Sequence, residues 1–297
     1  MPARLLLLAA LVALLLPAGA TPAAAHAGGL TSAPSTSRVV ALDPPLPGLE
    51  VRAVEFGARL RIDNATALPV VVEPLPGSAV SGLPVVPPGG RAYWVDPRVL
   101  LAASAGPPPG EDSAAWTVPL RAGDTRVLVL GEQLWPPPPA PGWWAVALAA
   151  LLVPAVAGVL GAGRPWGRGV LASSTAVVLA AHLVHVLGSA LVPEDRSYPI
   201  MLLSAAGYAL LGWPLGVAGV WLTLRGRSNG PLLCAVAGGL FALVIAPVDA
   251  FTLVDAVVPF AWGADLDRLV VALTLGGGLG VVVAGMAALR RGPVPAS

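Results

Sequence analysis

Five apolar stretches lie between residues 143 and 289, near 143–162, 169–192, 200–224, 231–256 and 268–289, and each is twenty or more residues long. A helix rises 1.5 Å per residue, so about twenty residues cross the hydrocarbon core of a bilayer. Lipid offers the backbone no hydrogen-bond partner, and helices are the form in which such runs satisfy themselves. The sequence therefore predicts a five-helix transmembrane bundle. Composition agrees: 56% of the 297 residues are hydrophobic and only 11% are charged, with a mean hydropathy of +0.79. Trp143 and Trp144 open the first stretch, where aromatic side chains favour the membrane interface.

The N-terminus reads as a signal peptide over residues 1–25. Arg4 precedes an apolar run from Leu5 to Leu16, too short to span, and small residues come after it. Cleavage is expected after Ala25 in "AAA", with Ala20 in "AGA" as the alternative. The mature chain then starts outside the cytoplasm. The single cysteine, Cys234, lies in a later apolar stretch, so the exported segment has no disulfide and relies on its own core.

Residues 26–135 change character. "LEVRAVEFGARLRIDN" alternates at period two and predicts a hairpin with Val51, Val54 and Phe56 in register against Leu60 and Ile62. Further short runs, "LPVVVEPL", "RAYWV", "AAWTVPL" and "TRVLVLGEQLW", are separated by Pro- and Gly-rich turns, a spacing that predicts a β-sandwich-like domain. Asn64-Ala65-Thr66 has the form of a glycosylation sequon. Residues 136–142, "PPPPAPG", form a stiff proline-rich spacer before the transmembrane domain of residues 143–291 and a short tail, 292–297. The expected class is an α+β membrane protein: an extracytoplasmic β-sandwich followed by a five-helix bundle.

Loop charge sets orientation, because cytoplasmic loops accumulate basic residues. Arg164 and Arg168, Arg225 and Arg227, and Arg290 and Arg291 occupy alternate ends of the stretches, whereas "PEDRSYP" and "GADLDR" are acidic or balanced. All three basic segments share one side only with the β domain outside and the C-terminus inside. The expected location is the cell (plasma) membrane, multi-pass, with lipid as the surrounding partner.

Net charge of +1 with no basic run excludes nucleic acid as a partner. No G-x-S-x-G, HExxH or paired-carboxylate context supports a hydrolase, and the expectation is a protein that is not an enzyme. Chemistry concentrates instead in the second stretch. At 100° per residue Ser174, Val178, His182, His185 and Ser189 fall within a sector of roughly 80°. Tyr208 in the third stretch and Asp249 in the fourth, beside a helix-kinking Pro247, are placed by helix rise at the same outer half of the bundle. Two readings stand. His182, His185, Asp249 and Tyr208 form a metal site, copper first, or the histidines are neutral polar links between helices. Asp265 and Asp267 read as solvated loop residues. His26, at the N-terminus after cleavage, is a further metal candidate, with Asp96 the available acidic partner. Gly276 and Gly280, and Gly212, Gly216 and Gly219, are spaced for close helix packing.

"LDPPLPGLEVRAVEFGARLRIDN", "AYWVDPR", "WTVPLRAGD" with the subsequent "LW" and proline-rich spacer, and "DRLVVALTLGGGLG" resemble a family of actinobacterial exported membrane proteins without an assigned chemistry. Use of Arg to the exclusion of Lys fits a GC-rich coding bias. Members of that family often carry a histidine-rich stretch where this chain reads "YWVDPRVLL". The histidines are absent here, which weakens a metal role for the exported domain. The layout is also similar to copper-resistance systems that pair a CopC-type sandwich with a CopD-type membrane protein. The reading that emerges is a non-enzymatic polytopic membrane protein whose exported β domain binds or senses an extracytoplasmic ligand or protein. The alternative is metal (copper) handling or transport through the intramembrane His/Asp cluster.

Overall fold

A computed structural model describes residues 30–76 and 84–291. The signal peptide, both cleavage positions, His26 and the 292–297 tail lie outside the described residues. The chain divides into two compact units, one comprising residues 33–138 with 256–259, the other residues 139–255 and 260 onward.

The first unit is built from antiparallel strands β1 (Thr36–Asp43), β2 (Leu49–Val54), β3 (Arg59–Asn64), β4 (Val70–Val72), β5 (Val85–Val86), β6 (Arg91–Trp94), β7 (Ser113–Ala122) and β8 (Thr125–Leu134), with one helix, α1 (Pro97–Ala105). They form a five-stranded sheet in the order β1-β8-β7-β4-β5 and a three-stranded sheet β2-β3-β6. Alternation decides which side chains are hidden: Val118 and Leu120 of β7 and Val127 and Val129 of β8 are fully buried. They share one hydrophobic cluster with Leu60 and Ile62 of the smaller sheet.

The expected hairpin forms, pairing Val51 with Ile62 and Ala53 with Leu60. Phe56, however, leaves the strand. Glu55, Phe56 and Gly57 all take positive φ and make the turn, so Phe56 is 46% exposed while Glu55 turns inward to pair with Arg59. Asn64 of the sequon is a structural corner. Its amide donates to the carbonyls of Val86 and Leu68, each at 2.9 Å, and its oxygen accepts from Thr66. Asp96 likewise caps α1 through the Arg98 N–H and accepts from the Trp94 indole and the Arg98 guanidinium, which fixes the "YWVDPR" segment as a brace.

The second unit is helical: α2 (Gly142–Gly161), α3 (Pro165–Ala190), α4 (Tyr198–Ala206), α5 (Ala209–Leu224), α6 (Gly230–Leu240), α7 (Ala246–Asp249) and α8 (Ala264–Arg291). A π-helical turn, Phe241–Ile245, joins α6 to α7, and a 3-10 turn, Ala250–Leu253, comes next. Among the described residues, four helical stretches are long and apolar enough to cross a membrane: Gly142–Gly161, Pro165–Ala190, Gly230–Leu253 and Ala264–Arg291. The third stretch of the sequence is not one straight helix. It breaks at Gly207, which has φ +44, into α4 and α5 bent by 69°, so the count is four, or five if the bent pair is one span. Small residues set the helix spacing. A Cβ on Gly276 of α8 would sit 1.9 Å from the Ala147 carbonyl oxygen of α2, and one on Gly280 would meet Pro154.

Candidate functional site

The site is assembled where the irregular segment after α6 and the first turn of α8 meet the last turns of α3. Pro247 lacks an N–H and crowds the preceding turn, and the chain answers with the π turn before it and the 3-10 turn after it. That irregularity frees carbonyls near Asp249, and Arg268 satisfies two of them. Its Nε donates to the Thr252 oxygen at 3.0 Å and its Nη2 to the Asp255 oxygen at 2.9 Å, with Nη1 on Asp265 at 3.2 Å. Arg268 is thereby buried, although its sequence context reads as a solvated loop.

One position earlier stands Asp267, the residue that the sequence assigned to solvent. Helix α8 starts at Ala264 and carries Asp267 in its first turn, facing inward at 1% exposure. A carboxylate is favoured there by the positive end of the helix. Its oxygen lies 2.6 Å from His185 Nδ1, and on the other side of the ring Asp249 Oδ1 lies 3.4 Å from His185 Nε2. His185 is thus held between two carboxylates, and His185, Asp249 and Asp267 are all buried. Phe260 closes the site by lying parallel to the imidazole, centroids 6.3 Å apart. Gly188 makes room for it, since a Cβ there would fall 2.1 Å from the Phe260 ring.

His182 belongs to a drier neighbourhood. It is 2% exposed, packs against Phe241 and Trp213 at centroid distances of 4.9 and 5.7 Å, and its Nδ1 finds no partner among the described residues. Its ring centroid is 6.0 Å from that of His185. Tyr208 stands at the bend before α5, 45% exposed, and does not join the cluster. Of the four residues expected together, the structure joins His185 with Asp249, keeps His182 alongside and leaves Tyr208 out. It adds Asp267. Among the described residues no group of three or more His, Cys, Asp or Glu side chains is arranged to hold a metal ion.

The signal for Asp267 is in the sequence. The buried face of α8 runs through Val271, Thr274, Gly278, Val281 and Gly285, and continuing that spacing one turn upstream lands on Asp267.

For both ring nitrogens to face carboxylates with hydrogen between them, either an imidazolium sits between two carboxylates or a neutral imidazole sits beside one protonated carboxyl. Both arrangements carry one net negative charge, and one further proton neutralises the cluster. Compared with protein-family models, with curated proteins and with solved structures, the chain finds no match.

Proposed function

We propose that the chain is a non-enzymatic, proton-responsive membrane protein. In this reading a signal peptide exports the N-terminus, and the two sheets close into an extracytoplasmic sandwich that binds or senses a ligand or protein. Five spans, with the bent pair counted as one, end in a cytoplasmic C-terminus. The observation that carries the reading is His185 with a buried carboxylate on each ring nitrogen. Ionisable side chains inside a bundle are costly and are kept where their charge is used. Proton occupancy here acts on the irregular 241–255 segment that holds Asp249, and so on the packing of α8 against it.

The test is the pH dependence of thermal unfolding of the full-length protein in nanodiscs between pH 4 and 9. One proton exchanged between states gives a slope of up to about 1.4 kcal/mol per pH unit. We expect a pH-dependent step in the wild type that is absent in His185→Gln and in Asp249→Asn. Variants that fold and keep the wild-type profile would overturn the proposal.

A second reading, copper handling, draws on the unpartnered Nδ1 of buried His182 beside His185 and on the architectural resemblance to copper-resistance proteins. Two soft nitrogen donors suit copper(I), and Asp249 would serve as an outer acceptor. Near-stoichiometric metal in purified wild type, lost in His182→Ala/His185→Ala, would favour it over the proton reading.

A further inference from the structure

The opposite end of the bundle holds a cavity of about 130 Å³. It opens among the α2–α3 link, the first turns of α3, the α5–α6 turn and the last turns of α8. Three arginines are among its lining residues, Arg164, Arg168 and Arg227, together with the hydroxyl-bearing Ser228 and Thr223. No carboxylate is among its lining residues. The acidic residues after residue 138 are Glu194, Asp195, Asp249, Asp255, Asp265 and Asp267, all in the loops or helix ends of the other side.

Glycines let the lining segments approach one another closely. Gly226, with φ +67, lies directly under the Arg168 guanidinium, for a Cβ there would be 2.7 Å from Nη1. Gly167 and Gly161 bring α3 against the end of α2, where a Cβ on Gly167 would be 2.0 Å from the Gly161 oxygen. Arg291 closes the same corner by donating to the Ala162 oxygen at 2.9 Å. Helices α3 and α6 both begin at this cavity, so two positive helix ends add to the field of the guanidiniums. Arginine forks match tetrahedral oxyanions through paired N–H donors, and basic pockets between membrane helices attract anionic head groups.

We infer that this cavity is a binding site for a phosphate group, held by Arg164, Arg168 and Arg227 with Ser228 as an additional donor. A lipid headgroup and a free phosphate share that chemistry. In the orientation proposed above the cavity faces the cytoplasmic leaflet, but the inference needs only the bundle end itself and does not depend on the His185 cluster.

Native mass spectrometry and thermal shift of the detergent-solubilised full chain test it, with phosphatidylglycerol, phosphatidylcholine and inorganic phosphate as separate probes. Each arginine contributes about five-fold in affinity. We therefore expect phosphatidylglycerol or inorganic phosphate to bind the wild type and bind Arg164→Gln/Arg168→Gln/Arg227→Gln on the order of 100-fold more weakly. The single variant Arg227→Gln, in an exposed turn, should lose about five-fold and guards against misfolding of the triple variant. Phosphatidylglycerol alone binding identifies a lipid headgroup; inorganic phosphate binding and displacing the lipid identifies a soluble phosphate. Both outcomes uphold the site. Equal binding of phosphatidylcholine and phosphatidylglycerol with no effect of phosphate, or affinity unchanged in Arg227→Gln and in a folded triple variant, would overturn it.

Discussion

Single residues in this chain act through the partner they are given. Asp63 on β3 is bonded to Arg61 at 2.8 Å and paired across the sheet with Arg91. Partial burial pushes its carboxyl up, but the hydrogen bonds from Arg91 and Arg61 outweigh it and hold the group below its ordinary value. A carboxylate depressed on folding stabilises fully above its unfolded value, about 3.9, and loses that contribution as pH falls through the lower folded value. Arg91 is more than half exposed, so the contribution is below about 1 kcal/mol. Asp63→Asn should therefore lower the melting temperature of the β unit slightly at pH 6 and by less at pH 2, where the carboxylate's contribution is being lost. Calorimetry at both pH values checks this, and an equal loss at both would refute it. His185 shows the same dependence on partners, and it is also where the sequence was partly readable. The polar stripe identified His182 and His185, and Pro247 pointed to Asp249. Asp267 went unseen because a charge between "GAD" and "R" looks solvated until the helix is known to begin at Ala264. Tyr208 was misplaced because a bend at Gly207 turns it outward.

At the level of elements, helix ends and breaks were harder to read than spans. Apolar length places α2, α3 and α8 within a few residues, since hydrocarbon thickness fixes them. It does not distinguish a straight helix from α4 and α5, because a lone Gly207 inside an apolar run does not interrupt the hydropathy that marks a span. The glycines of the bundle separate two roles that look alike in sequence. Gly276 lies against the α2 backbone with no room for a methyl group, whereas a Cβ on Gly239 of α6 would meet only Val282 Cγ2, at 3.6 Å. Gly276→Ala should force α2 and α8 apart and lower the melting temperature in detergent by several degrees. Gly239→Ala should be neutral or stabilising by up to about 1 kcal/mol, because alanine costs less conformational entropy in a helix. Comparable losses in both variants would refute this distinction between the two glycines.

For the whole molecule, the number of crossings and their direction are one problem. If α4 and α5 cross as a bent span, Ser197 and Ser228 lie on opposite sides of the membrane. If the pair is re-entrant, they share a side, and Arg225 and Arg227 then fall on the same side as the acidic "PEDRSYP" loop. Basic residues concentrate on the cytoplasmic side, so the charge pattern favours crossing. Cys234 is fully buried, which leaves the background for cysteine labelling low. In intact cells, Ser197→Cys should react with a membrane-impermeant maleimide, and Ser228→Cys should react only after permeabilisation. Labelling of both before permeabilisation would make the bent pair re-entrant and the bundle four-spanning. The reverse pattern would place the β unit inside and remove the ground for an exported binding domain. The expected pattern sets the His185 cluster toward the outer face and the arginine cavity toward the inner one. Proton occupancy and phosphate binding would then report on opposite sides of the membrane.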